Sequence, residues 1–209
     1  MKITKGKAEI VGIYIGDGYI YKNGNKYQIG FVGNPITDVS LFERVKKLIK
    51  KEWNKEVSFK VRDSGLRMVF RSKEVSGFLI GYLKLPFGKG KCERVVTPEV
   101  IAKDWNLAKY TIRGIMDTDG TVFISKKPRI DKYPAMEITT TSQLLADQLR
   151  EILLKQEFRV GNIRKSTSKL SKLPAYRVAL YGRDNLRKWV KEIGFSNKYK
   201  LDRAKDYIQ

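Results

Sequence analysis

Two aspartates stand at matching positions of a repeated stretch, and their placement suggests metal chemistry on phosphate. The stretches IVGIYIGDG, at 10–18, and IRGIMDTDG, at 112–120, align without gaps. Each reads as a helix that ends at an acid, Asp17 or Asp119, where the helix dipole is negative. Two carboxylates held close together need a cation between them, or a proton on one of them. Mg²⁺ suits one or two carboxylates plus phosphate oxygens and water, so the pair predicts a metal site that cuts phosphodiesters.

The two stretches also carry small residues four positions apart, which lie on one face of each helix: Gly12, Gly16, Gly114 and Thr118. Such faces let two helix backbones approach closely, and an interior glycine otherwise costs about 1 kcal/mol. We therefore expect the two helices to pack along these faces. Asp17 and Asp119 then lie side by side, and Gly18 and Gly120 take the left-handed conformation that ends a helix.

Composition narrows the chemistry further. The chain has 209 residues, a single cysteine (Cys92) and no histidine. This excludes an internal disulfide, a cysteine-cluster zinc site and any histidine-dependent triad or nuclease. The net charge of +21 is spread over both halves and predicts a polyanionic partner, foremost nucleic acid. No apolar run approaches the roughly 20 residues of a membrane span and the N-terminus lacks a secretion signal, so we expect a soluble, intracellular protein without membrane contact.

The pattern of apolar residues predicts one order of elements twice, namely helix–strand–strand–helix–strand–strand–helix. In the first half, Asn23-Gly24 marks a hairpin, and an amphipathic helix at 36–53 is capped by Asp38 or Thr37. In the second half, the basic stretch PRIDKYP at 128–134 is expected to be a loop. The predicted division is a first half at 1–85, a linker at 86–100 that is rich in glycine and proline, and a second half at 101–209.

The two aligned stretches resemble the paired motifs of single-chain LAGLIDADG homing endonucleases, and the order of elements matches as well. The resemblance implies an α+β fold of two pseudo-symmetric αββαββα halves, with antiparallel sheets that form a DNA-binding saddle and the motif helices packed at the centre. It implies a monomeric, site-specific double-strand DNA endonuclease of the intron-encoded type with a long, nearly unsymmetric target. Asp17 and Asp119 would hold Mg²⁺, for which Mn²⁺ would substitute. The sixth motif position is Ile15 in one copy and Asp117 in the other, so we interpret Asp117 as a structural hydrogen-bonding residue.

Two lysines resemble the basic residues that lie beside the metal sites in this family. They are Lys91, in GKGKCE, and Lys198, in GFSNKYK, each placed after the third helix of its half. We assign both to the catalytic site, with Lys89 and Lys200 as competing candidates for the same role.

The predicted strands are unusually polar, and strands in the major groove can read base edges with alternate side chains. Strand tips with lysine or arginine suit contacts to the DNA backbone. The candidate DNA-binding residues are Tyr19, Tyr21, Lys26, Gln28, Lys60, Arg62, Arg67, Arg71, Ser125, Lys126, Arg129, Arg164, Lys165, Arg177 and Tyr181.

Two other functions are compatible with the same fold. One is an RNA maturase that binds intron RNA, and the other is a DNA-binding regulator without catalysis. Retention of both acids and both small-residue faces is more than a binding protein needs. Because the flanking residues of a self-splicing intein are lacking, we expect an intron-encoded or free-standing enzyme.

Overall fold

The computed structural model describes residues 2–24, 26–128, 130–168 and 171–208. Within these ranges helical segments alternate with pairs of strands, and several helices follow one another between the two halves. The helices are α1 (Lys5–Ile15), α2 (Val39–Trp53), α3 (Lys73–Ser76), α4 (Lys91–Arg94), α5 (Glu99–Ala102), α6 (Trp105–Asp119), α7 (Gln143–Lys155), α8 (Arg183–Glu192) and α9 (Lys198–Ile208). None of the described helices is long and apolar enough to cross a membrane.

The strands form two four-stranded antiparallel sheets with the same order in each half. The first sheet has the order β1-β2-β4-β3 and the second has the order β5-β6-β8-β7. This repeat confirms the α+β class and the predicted duplication of elements. The strands are β1 (Gly18–Asn23), β2 (Lys26–Gly33), β3 (Phe59–Arg62), β4 (Gly65–Arg71), β5 (Gly120–Lys127), β6 (Ile130–Thr140), β7 (Arg164–Ser168) and β8 (Ser171–Tyr181).

Alternation along the strands gives each sheet one apolar and one polar face. In the first sheet Ile29, Phe31 and Met68 are buried in the core. Their neighbours in sequence point the other way, so that Tyr21, Gln28 and Arg71 form one cross-strand row on the opposite face. The apolar face packs against helices, and the polar face remains available for a ligand.

The two motif helices, α1 and α6, pack directly against each other at the centre of the molecule. A Cβ on Gly12 would lie 2.8 Å from the carbonyl carbon of Thr111, and one on Gly114 would lie 2.6 Å from the Glu9 carbonyl oxygen. The hydroxyl of Thr111 donates to the carbonyl oxygen of Ala8 across the interface at 2.8 Å. The helices therefore meet backbone to backbone, as the small residues predict.

Gly16 and Thr118 continue this interface toward the C-terminal ends. A Cβ on Gly16 would lie 2.7 Å from Cβ of Thr118, so these two positions accept only one side chain between them.

The expected conformation of the two glycines after the acids is wrong. Gly120 has φ −95° and ψ 162°, which is extended, and Gly18 lies outside the positive-φ residues as well. Both instead provide space, because a Cβ would lie 2.5 Å from Cα of Tyr14 at Gly18 and 2.5 Å from the carbonyl oxygen of Met116 at Gly120. The chain turns directly from helix into strand with no room for a side chain.

Three local predictions differ from the structure. The stretch expected to be a loop at 128–134 falls largely within β6, which begins at Ile130, because its alternate residues continue the pairing with β5. The third predicted helix of the first half is α-helical only in α3 and continues as a π-helix over Gly77–Tyr82. The predicted linker at 86–100 contains α4 and α5; the division into halves at that linker stays a prediction.

Candidate active site

The two motif acids lie where the C-terminal ends of α1 and α6 meet. Asp17 follows α1 and Asp119 is the last residue of α6. A Cβ on Gly16 would lie 3.1 Å from Oδ2 of Asp119, so the second acid reaches the end of the first motif helix. Among the described residues, neither carboxylate takes part in a hydrogen bond or an ion pair. The structure thus brings together two half-buried acids for which the described residues supply no hydrogen-bond or ion-pair partner.

Burial is the main cause that raises the pKa of Asp17, to about 7, and the negative charge of Asp119 raises it further. Burial also raises the pKa of Asp119 to about 6. Two carboxyl groups in this state either share protons near neutral pH or bind a cation. The site is therefore electrostatically incomplete without a positive ligand.

Two lysines, the buried Lys91 and the half-buried Lys200, bind carbonyl oxygens where the motif helices end. Lys91 Nζ donates to the carbonyls of Tyr14, Gly16 and Gly18, at 2.5, 3.1 and 2.6 Å. In the second half, Lys200 Nζ makes the matching bonds, at 2.8, 2.7 and 3.1 Å, to the carbonyls of Met116, Asp117 and Thr118.

These lysines explain why an acid is tolerated at the end of a helix. The last carbonyls of a helix lack intrahelical partners and carry partial negative charge. The Lys91 ammonium binds two of them at the end of α1, together with the Gly18 carbonyl of β1, and the Lys200 ammonium binds three of them in α6. Each positive charge therefore neutralises a helix end. Burial lowers the pKa of Lys91 to about 8, while the charges of Asp119 and Asp17 act to raise it. Burial also lowers the pKa of Lys200.

The structure places the Lys198 side chain away from the second motif, and its competitor Lys200 takes the position that matches Lys91. The Lys198 side chain is 73% exposed and pairs with Asp202 at 2.6 Å. The physical reason is helical phase: Lys198 begins α9 on the outer face, and Lys200 lies two residues further round, facing α6. The i,i+4 spacing to an acid was a sequence signal for an exposed position.

Asp117 has the structural role expected of it. It is fully buried, and its Oδ2 accepts the backbone N–H of Ser196 at 2.7 Å. Its Oδ1 has no hydrogen-bond partner in the described part of the chain. Burial raises the pKa of Asp117 to about 7.

The register of the first sheet places all eight candidate DNA-binding residues of that half on its polar face. Cross-strand partners share a face, and Lys60 is paired with Arg67 as Tyr21 is paired with Gln28. The alternation carries Tyr19, Lys26, Arg62 and Arg71 to the same side. The first strand of this sheet, β1, begins at Gly18, directly after Asp17. The polar face therefore begins next to the first motif acid.

The second sheet departs from the prediction at Lys165. Lys165 pairs with Tyr176 in register, and its Nζ lies 5.8 Å from the centre of that buried ring. Lys165 therefore lies on the opposite face from Arg164 and Arg177, because the side chains alternate. Ser125 and Tyr181 are on the polar face, Lys126 sits at a bulge near the strand tip, and Arg129 lies outside the described residues.

Sequence reasoning missed an acid within this polar face. Glu137 is buried between two arginines; its Oε2 lies 2.7 Å from Arg164 Nη2 and its Oε1 lies 3.7 Å from Arg177 Nη1. The signal was the period-two pattern of β6, where Glu137 stands between the core residues Met136 and Ile138 and so must face away from the core.

A second missed residue is Glu9, which is fully buried inside α1. It accepts bonds from Arg44, Arg113 and Ser196, at distances from 2.5 to 3.1 Å. The bonds to the arginines lower the pKa of Glu9 against the effect of burial. An acid in the middle of an apolar motif helix was the signal for such a network.

Comparison with known proteins agrees with this geometry. Residues 106–194 match the family model of the LAGLIDADG-like domain. A replication factor C small subunit of Methanocaldococcus jannaschii is 28% identical over 203 residues, which are 97% of this chain and 10% of that protein. The chain thus spans about a tenth of the length of this curated relative.

Two solved structures share the fold over nearly the whole chain. I-DmoI in complex with DNA and Mn matches with a TM-score of 0.63 and 16% identity, over 91% of this chain and 96% of that chain. The homing endonuclease I-WcaI, bound to its DNA recognition sequence, matches with a TM-score of 0.62 and 12% identity, over 100% of this chain and 88% of that chain. The second half of the chain therefore matches the LAGLIDADG-like domain over residues 106–194, and the chain as a whole shares the fold of these two homing endonucleases.

Proposed function

We propose that the protein is a site-specific, metal-dependent DNA endonuclease that cuts both strands of a long target at the seam of its two motif helices. The observation that carries this proposal is the pair Asp17 and Asp119. They are half-buried and adjacent, at the edge of two polar sheet faces, and no side chain in the described part of the protein pairs with them. A DNA-binding regulator has no need of two such acids, since they repel DNA phosphates unless a cation lies between them.

The residues present fit a divalent cation. Asp17 and Asp119 would hold it; the described residues contain no group of three or more acidic, histidine or cysteine side chains for an all-protein cage. Mg²⁺ is commonly bound through one or two carboxylates together with phosphate oxygens and water, which is the donor set available here. When bound, such an ion supplies activation of water and stabilisation of the departing oxygen. We propose Mg²⁺ as the native ion, with Mn²⁺ as a substitute; structures of I-DmoI are described with Mn, Mg and Ca.

We assign Lys91 and Lys200 to electrostatic support of the reaction. Each ammonium group has three donors, and three backbone carbonyls accept from each. The lysines are therefore fixed positive charges rather than mobile proton donors. A fixed charge beside the scissile phosphate offsets the negative charge that develops in the transition state.

The polar faces of the two sheets are the proposed DNA-binding surface. In the first half they present Tyr21, Gln28 and Arg71 in one row and Lys60 with Arg67 in another. Arginine can bond guanine bidentately, and glutamine can bond adenine, in the major groove. The second half presents Arg164 and Arg177 held by Glu137. Because the two faces differ in their residues, we expect the two half-sites of the target to differ in sequence.

DNA is the favoured nucleic acid. I-DmoI and I-WcaI, which share the fold, are both described as bound to DNA, and this favours DNA over the intron RNA of the maturase alternative. The matched segment of the curated relative lies within a much longer protein, so the genetic setting is open between an intron and an in-frame insertion. We propose that the endonuclease acts as a monomer, since both motif helices are in one chain.

The test is cleavage of a plasmid library with randomised inserts, in the presence of Mg²⁺, Mn²⁺ or a chelator. We expect linear molecules in either metal and none with the chelator, and sequencing of the cut ends gives the target. Asp17→Asn and Asp119→Asn should bind that target with near wild-type affinity and fail to linearise it. Binding without cutting by the wild-type protein in every metal would instead establish the regulator.

A further inference from the structure

Residues 196–200, which end the connection after α8 and form the first turn of α9, contact the first half of the molecule, and we call this segment the clasp. Its cross-half hydrogen bonds run from Ser196 Oγ to Glu9 Oε1 (2.5 Å), from Asn197 Nδ2 to Asp38 Oδ1 (2.9 Å) and from the Lys198 backbone N–H to Ser40 Oγ (2.9 Å). The clasp thus touches both α1 and the start of α2.

The first anchor of the clasp is buried and charged. Glu9 has no exposed surface. It also binds Arg44 of α2, at 2.8 Å, and Arg113 of α6, at 2.6 Å. Removing one member of such a buried network leaves another group unpaired, so Ser196 is held at a fixed place relative to α1, α2 and α6.

The second anchor is Asn197, whose side chain is fully buried and acts in two directions. Its Oδ1 accepts the backbone N–H groups of Tyr199 and Lys200, at 3.0 and 3.4 Å, and so caps the N-terminus of α9. Its Nδ2 donates to Asp38. Asp38 stands just before α2 but makes no capping bond to that helix; its carboxylate instead serves the Asn34 backbone N–H and Asn197.

The other side of the clasp faces the second motif. The Ser196 backbone N–H donates to Asp117 Oδ2, and Lys200 Nζ donates to three carbonyls at the end of α6. The same five residues therefore connect the first half to the lysine of the second motif. Lys91 is placed differently: its motif contact lies with α1 and β1, and its neighbour Cys92 meets the second half through an exposed bond from the Thr141 hydroxyl to the Cys92 carbonyl.

We propose that Ser196 and Asn197 are positioning residues that set Lys200 at the second motif through the first half, so that one of the two strand cuts depends on the docking of the halves. This inference rests on the proposed endonuclease function. It assigns the two cuts different structural requirements: the cut supported by Lys200 needs the clasp, and the cut supported by Lys91 does not.

The decisive variant is Asn197→Asp. Aspartate keeps the cap on α9, because it is as good an N-cap as asparagine, but it replaces the donor toward Asp38 with a second carboxylate. On a supercoiled plasmid that carries the selected target, we expect nicked circles to accumulate at least tenfold over wild type. End-labelled DNA should show that the uncut strand is the one that Lys200→Met also spares. The double variant Asp38→Asn/Asn197→Asp exchanges donor and acceptor and should restore linear product.

Two further measurements separate positioning from general loss of stability. In the Lys200→Met background, Asn197→Asp should add no more than a twofold further loss, because both act through the same ammonium group. Amide hydrogen exchange at residues 196–201 should be faster in Asn197→Asp and unchanged near Lys91. The matched control is Ala204→Gly, which weakens α9 at a fully buried position away from the cross-half bonds and should produce linear product without accumulated nicks.

The outcomes are distinct. Linear product from Asn197→Asp at the wild-type rate, equal loss of both strands, or sparing of the strand that Lys91→Met spares would each overturn the clasp. So would nicking by Ala204→Gly equal to that of Asn197→Asp. Failure of the wild-type protein to cut any target in any metal would overturn the proposed function itself.

Discussion

Gly12 of α1 lies against the backbone of Thr111 in α6, so closely that a Cβ on Gly12 would stand 2.8 Å from the Thr111 carbonyl carbon. Backbone atoms cannot move aside as the end of a flexible side chain can. This contact fixes the distance between the motif helices, and with it the distance between the acids at their ends.

Gly12→Ala should therefore destabilise the protein despite the better helix propensity of alanine. Overpacking costs about 1–3 kcal/mol or more, against a propensity gain of about 1 kcal/mol. We expect a lower midpoint in urea unfolding and at least tenfold slower cleavage. The matched control is Gly77→Ala, where a Cβ would meet nothing within 4 Å; a similar loss there would refute the steric account.

Lys200→Met should cost far more activity than Lys198→Met. Lys200 neutralises three carbonyls at the end of α6, and leaving a buried carbonyl without a hydrogen-bond partner costs about 1–3 kcal/mol. Lys198 is exposed, and substitution should change stability by less than about 0.5 kcal/mol. Cleavage of the selected target and thermal unfolding measure both effects. Equal losses of cleavage activity in the two variants would mean that Lys198 also acts in the active site.

Metal binding should strengthen as pH rises from 5 to 8. The pKa values of Asp17 and Asp119 are raised to about 7 and 6, so at pH 5 a cation must displace protons, and above pH 7 it need not. Without metal the sign for stability is opposite. A folded-state pKa above the ordinary value means that the folded state binds more protons, so these acids lower stability as pH rises from about 4 through 7.

The measurement is the shift in unfolding temperature on addition of Mn²⁺, taken across this pH range without DNA. We expect the shift to grow with pH in the wild-type protein and to be much smaller in Asp17→Asn/Asp119→Asn. A shift that is independent of pH, or that survives in the double variant, would mean that the cation binds elsewhere.

Glu137→Gln should raise affinity for random DNA and lower selectivity for the target. Glu137 neutralises part of the charge of Arg164 and Arg177 and holds their orientation. Loss of one negative charge on the DNA face steepens the dependence of binding on salt, whereas freely rotating arginines lose the bidentate geometry that reads guanine. Selection from a randomised library should give fewer specified bases in one half-site.

Glu151→Gln is the charge-matched control for this prediction. Glu151 lies on α7, is exposed and pairs with Lys155. If it reduces selectivity as much as Glu137→Gln does, the effect comes from net charge rather than from the position of the acid.

The sequence alone determined the repeat, the metal-binding acids as candidates, and the helices and strands in order. These depend on local patterns: small residues four apart, an acid before glycine, and period-two alternation that carries Tyr21, Gln28 and Arg71 to one face. Such patterns involve residues that are close together in sequence, so they can be recognised without knowledge of distant contacts.

Tertiary structure decided which lysine serves the second motif, which face Lys165 occupies, and that Glu9 and Asn197 connect the halves. Each outcome depends on partners far away in sequence: Lys200 binds carbonyls 82 to 84 positions earlier, and Ser196 binds Glu9 across 187 positions. Which side of α9 faces α6 depends on how the two halves pack, and no local sequence pattern determines that orientation. The role of Gly18 and Gly120 was also decided by the tertiary structure. Both are required because a side chain has no room beside the helix end, and neither adopts the left-handed backbone conformation that glycine commonly signals.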